Sequence, residues 1–130
     1  MAFLIHSTDD GRACPWEYLP AAAITPKIGM ALHFYSGKLT TTSGTTKPTY
    51  ISMVDKSAAL TAGDIIPVIK IQPDIVFETT ISGTAATLTP GTAVQVASGG
   101  MGADFATTSG TFTLETGAAA VGDTVRGRFL

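Results

Sequence analysis

Ile65-Ile-Pro-Val-Ile-Lys-Ile71, a Gln-Pro-Asp break, and Ile75-Val-Phe-Glu-Thr-Thr-Ile81 form the stretch that decides the fold. Both runs are short, apolar and rich in β-branched residues, which suits strands better than helices. In the second run Ile75, Phe77, Thr79 and Ile81 fall on one face of a period-two pattern. The Pro-Asp step between them breaks the chain direction. Pro67 cannot donate to a ladder, so the first run reads as an edge strand or one carrying a bulge.

The same pattern continues on both sides. Residues 28–35 (IGMALHFY) place Ile28, Met30, Leu32 and Phe34 on one face, and Ser36-Gly37 then signals a turn. A Thr-rich strand follows from Leu39, and Thr49–Val54 (TYISMV) makes another. Residues 55–63 read as a loop with room for one helical turn. Further strands are expected at 93–97, 111–115 and 124–130. About eight short strands separated by turn signals indicate an all-β domain, a small sandwich or barrel, over residues 27–130.

Composition agrees. The 130 residues include 21 Thr and 14 Gly, with no Asn. Thr fits a pleated surface and Gly punctuates turns. Charged residues are 14% of the chain, against about 25% in typical soluble domains. The net charge is −2, and the eight basic residues are scattered. A nucleic-acid binder would concentrate them, so no nucleic-acid partner is expected. Cys14 is the sole cysteine, which rules out an intrachain disulfide. The start MAFLIHSTDD lacks a basic segment and a long apolar run, so no signal peptide is expected. No stretch nears the roughly 20 apolar residues of a membrane helix, so no membrane partner is expected either.

Residues 1–26 read differently, as an extended irregular N-terminal arm. Pro15, Pro20 and Pro26 interrupt any long helix or central strand. The arm nevertheless carries Phe3, Leu4, Ile5, Trp16, Tyr18 and Leu19. Such side chains need a surface to cover, either on their own domain or on a neighbour. These six are the candidate partner-binding residues. Deleting residues 2–20 is expected to leave the β-domain folded and to weaken partner binding.

Chemistry-bearing residues do not assemble into a motif. His6, His33 and Cys14 form no spaced ligand pair. No G-x-S-x-G elbow occurs. Ser98-Gly-Gly-Met-Gly102 lacks the Lys-Ser/Thr of a phosphate cradle. Asp9-Asp10 reads as a solvated turn. Arg126 and Arg128 share one strand face, where they contact an anion or carboxylate or simply line a charged outer surface. No catalytic, cofactor or metal residue is therefore expected.

Four segments resemble small head decoration proteins of tailed bacteriophages and prophages, the lambda type included. They are Ile24-Thr-Pro-Lys-Ile-Gly-Met-Ala-Leu32 with Lys47-Pro-Thr-Tyr-Ile-Ser52, Gly63 through Glu78, and Val121 through Phe129. The likeness is one of layout over residues 24–130. It implies a β-rich, β-tulip-like domain that acts as a homotrimer and cements the major capsid protein on the outer surface of a virion. The protein would be made in the cytoplasm of the bacterial host. In a trimer, strand faces such as Ile65–Ile71 would be candidate contacts. A sugar- or peptide-binding β-module of a phage fibre or tail is the alternative expectation.

Overall fold

A computed structural model describes residues 2–84 and 86–130. The described strands are β1 Leu4–Thr8, β2 Trp16–Pro20, β3 Ala31–Tyr35, β4 Lys38–Thr41, β5 Tyr50–Ser52 and β6 Ile65–Lys70. They continue with β7 Ile75–Ser82, β8 Ala93–Val94, β9 Ala103–Asp104, β10 Phe112–Leu114 and β11 Thr124–Phe129. They form two sheets, β1-β7-β11-β10-β8 and β2-β6-β5-β3-β4, with β9 added in parallel to β7. This is a small all-β sandwich. The one helical turn described is a 3₁₀ turn at Ser98–Gly100, not in residues 55–63 where the sequence left room for it.

Central position explains the composition of β7. It lies between β1 and β11, so the face carrying Ile75, Phe77, Thr79 and Ile81 is buried between the sheets. Phe3, Phe77, Phe112 and Phe129 meet there, with neighbouring ring centroids 4.9 to 5.6 Å apart. Tilted and edge-on contacts of this kind add to the area they bury. Ala31 and Ile51 reach the same core from the second sheet.

The second sheet bends round on itself. Ala21, just past β2, forms a parallel bridge with Leu39 of β4, and the Ala22 N–H donates to the Leu39 carbonyl at 2.8 Å. The inside of the curl holds a smaller core of Leu32, Leu39, Ile66 and Val68, against which Leu19 packs. The β3–β4 hairpin turns at Ser36 and Gly37, with φ of 51° and 77°. Two adjacent left-handed residues match the right-handed twist of the flanking strands.

Two sequence expectations change. Pro67 does not mark an edge, because β6 lies between β2 and β5. Its carbonyl accepts from Met53 N–H at 3.0 Å, just beyond the end of β5. The missing N–H therefore faces the place where the neighbouring strand has stopped, and costs little. The second change concerns the N-terminal segment, whose described residues 2–26 are drawn into the sandwich rather than standing off as an irregular arm. β1 pairs with β7 and β2 pairs with β6, so the segment closes one edge of each sheet. Prolines 15 and 20 bound β2 and leave its ladder intact.

Candidate functional site

β1 and β2 are consecutive in sequence yet belong to different sheets, and residues 9–15 cross between them. That crossing forms one rim of the sandwich, where Ile5 and Trp16 of the candidate binding residues line one groove. Leu4 is 53% exposed, Ile5 38%, Trp16 51% and Tyr18 65%, whereas Phe3 is 1% exposed. Phe3 is thus a core residue and not a contact residue, because alternation along the strand start turns it onto Phe112 and Phe129. Leu19 is half-buried against the smaller core, on the strand face opposite Trp16 and Tyr18.

Register explains why the aromatic pair stands at the surface. Trp16 lies opposite Ile69 and Tyr18 opposite Pro67, with Pro20 opposite Ile65. Paired residues share a face, so Trp16, Tyr18, Pro67 and the exposed Ile65 make one apolar strip. The expectation that the Ile65–Ile71 faces make trimer contacts meets a restriction here. Ile66, Val68 and Ile69 are buried within the chain, which leaves Ile65 as the exposed apolar residue of β6.

Between the two edge strands runs an open groove of about 490 Å³, lined by Ile5, Cys14, Trp16, Met53 and Ile69 among others. Behind the crossing loop lies a smaller cavity of about 120 Å³, bordered by Arg12, Cys14, Glu17 and Asp74. The loop is held by its own polar contacts. Asp9 N–H donates to the Asp74 carbonyl at 3.0 Å, and Thr8 Oγ1 donates to the Arg12 carbonyl at 2.9 Å. Arg12 Nη2 lies 3.3 Å from Asp74 Oδ2. Burial pushes the Cys14 thiol above its ordinary pKa, and the Asp74 carboxylate pushes the same way.

The two C-terminal arginines do contact carboxylates, within the chain. Arg126 Nε donates to Glu78 at 2.9 Å. Arg128 bonds Asp9 and Glu115. His33 Nδ1 lies 2.8 Å from Thr42 Oγ1, a local partner. Among the described residues no group of three or more His, Cys, Asp or Glu could hold a metal ion, and no helix is long and apolar enough to cross a membrane.

Two further exposed aromatics lie outside the six candidate contact residues. Phe34 and Tyr35 end β3 beside the Ser36-Gly37 turn, and Phe34 packs edge-on against Tyr50 at 5.5 Å. An aromatic immediately before a two-residue turn sits at a hairpin tip, beyond the cover of the other sheet, and that was the available signal.

Comparison with protein-family models, curated proteins and solved structures gave no match to this chain.

Proposed function

We propose that this chain is a structural protein that decorates and cements the outer surface of a phage capsid. It acts as a homotrimer whose partner is the major capsid protein. The observation that carries this reading is the rim itself. Ile5 and Trp16, on the two edge strands, line one open groove, and Leu4 and Tyr18 on the same strands are exposed. Aromatic anchors on a firm scaffold suit binding to another protein surface. Low charge suits a surface that becomes covered, and repeated copies add modest contacts into firm attachment.

The test is cosedimentation of the purified protein with expanded capsids that lack it, alongside its mass in solution. Saturable binding by a trimer, weakened in a Trp16→Ala/Tyr18→Ala variant that stays folded, supports the reading. No binding removes it. One observation favours a second reading, a peptide- or sugar-binding module. The groove beside Trp16 has a volume of about 490 Å³, within the roughly 300–1,000 Å³ of ligand sites. Saturable, Trp16-dependent binding on a glycan or peptide array would select it.

A further inference from the structure

Asp10-Gly11 is the one Asp-Gly step in the chain, and with no Asn there is no Asn-Gly step. A backbone nitrogen attacks the side-chain carboxyl of the residue before it only where its own residue leaves room. Glycine, without a Cβ, leaves the most. Every other Asp is followed by a larger residue: Asp10, Lys56, Ile65, Ile75, Phe105 or Thr124.

The fold presents this step in the open, at the start of the crossing loop. Residues Thr8 to Gly11 make a tight turn, closed by the Gly11 N–H donating to the Thr8 carbonyl at 3.1 Å. Gly11 has φ of 72°, and a Cβ there would meet nothing within 4 Å. The Asp10 side chain is 55% exposed. Its Oδ1 accepts from the Arg12 N–H at 3.3 Å, the side-chain turn that Asp makes with the backbone two residues on. To reach that N–H the carboxyl folds back across the Gly11 peptide, which carries its Cγ toward the Gly11 nitrogen. Arg12 Nε, 3.2 Å from Oδ2, holds the group in this bend. The neighbouring Asp9 carboxylate is instead turned away onto Arg128.

We propose that Asp10 is a site of spontaneous backbone isomerisation. The Gly11 nitrogen bonds to Cγ of the protonated Asp10 carboxyl. The carboxyl hydroxyl leaves with the nitrogen's proton as one water, which closes a cyclic imide. Water then opens the imide at either carbonyl. Breaking the new C–N bond restores Asp10, whereas breaking the original peptide bond leaves the chain running through the side chain as isoaspartate. One water is lost and one regained, so no oxidant or cofactor takes part. The product backbone is one carbon longer, between Asp9, held by Arg128, and Arg12, held 3.3 Å from Asp74. The added length loosens the crossing between β1 and β2. This proposal does not depend on the capsid reading.

The experiment incubates the full chain for weeks at physiological temperature and neutral pH in heavy-oxygen water. Digestion and electron-transfer fragmentation then locate the label and distinguish aspartate from isoaspartate. The proposal expects heavy oxygen and isoaspartate to accumulate at residue 10 and to stay at background at the other six aspartates. Asp10→Asn should convert faster, because ammonia leaves from a neutral amide without prior protonation of a carboxylate. Asp10→Ser keeps an oxygen for the Arg12 N–H but has no carbonyl carbon, so its residue 10 should stay unlabelled. Aged wild type should melt lower than fresh protein, and aged Asp10→Ser should not. Absence of label at residue 10 of the wild type, in a period over which Asp10→Asn converts fully, overturns the proposal. Label spread evenly over the exposed aspartates also overturns it, since the turn then directs nothing.

Discussion

Arg128 grips Asp9 through two guanidinium nitrogens, at 2.7 and 2.8 Å, across 119 residues of chain. The same guanidinium reaches Glu115 and, at 3.2 Å, the Pro73 carbonyl. The last strand thereby fastens the crossing loop between β1 and β2. The Arg128 hydrogen bond holds the Asp9 carboxyl below its ordinary value of 3.8. A carboxyl depressed in the folded state stabilises the fold above its unfolded pKa, and that contribution fades as pH falls through the lower folded value. Asp9→Asn is expected to lower Tm at neutral pH and to flatten the acid-side loss of stability below about pH 4. Raised salt should shrink the neutral-pH difference, because the pair is partly exposed to solvent. Thermal melts across pH and ionic strength check this.

Phe3 makes the N-terminus part of the core. Phe3→Ala is expected to cost about 3–5 kcal/mol, the usual price of emptying a buried aromatic site. Removing residues 2–20 should abolish the cooperative transition, because it strips one edge strand from each sheet. This reverses the expectation of a dispensable arm. Urea unfolding of both variants measures it, and a truncated protein with a native-like transition would show that the body stands alone.

Gly127 lets two strands approach closely. A Cβ there would run into the Thr113 carbonyl oxygen and lie 3.0 Å from the Phe112 ring. Gly127→Ala should destabilise the fold by about 1–3 kcal/mol through overpacking. The exposed Gly122, whose added Cβ would meet open space but whose φ is +91°, is a useful contrast. There the loss would come from backbone strain, and Gly122→Asn should recover more than Gly122→Val.

Cys14 should react slowly. Burial followed by the Asp74 carboxylate raises its pKa above the ordinary 9.0, so little thiolate is present at neutral pH. Alkylation by iodoacetamide is expected to lag behind a free thiol at about pH 7.5. Asp74→Asn should speed it, with a larger gain as the crossing loop loosens.

Legibility from sequence followed the physics of each signal. Period-two alternation identified β7, because it has one face between the sheets and one turned away. Ser36-Gly37 announced its hairpin because two left-handed residues are needed there. The first two strands were missed for a specific reason. Edge strands tolerate proline and need only one neighbour, so β2 between Pro15 and Pro20 looked irregular. Two-residue β9 has too little sequence to show a period. For the six candidate contact residues, composition marked a segment with exposed apolar side chains, but it could not say which face Phe3 would turn to the core. That depends on β10 and β11, more than a hundred residues away.

Pairing of β7 with both β1 and β11 has a consequence for how the molecule is made. The first strand finds its neighbour only after residue 75, and the aromatic cluster is complete only when Phe129 arrives. A chain emerging from the ribosome N-terminus first cannot assemble its main core until residue 129 has been made. Contacts this distant in sequence slow folding, because loops must close before any burial rewards them. Late, slow assembly with β7 waiting in the open makes this a protein whose yield should respond to growth temperature more than to its final stability.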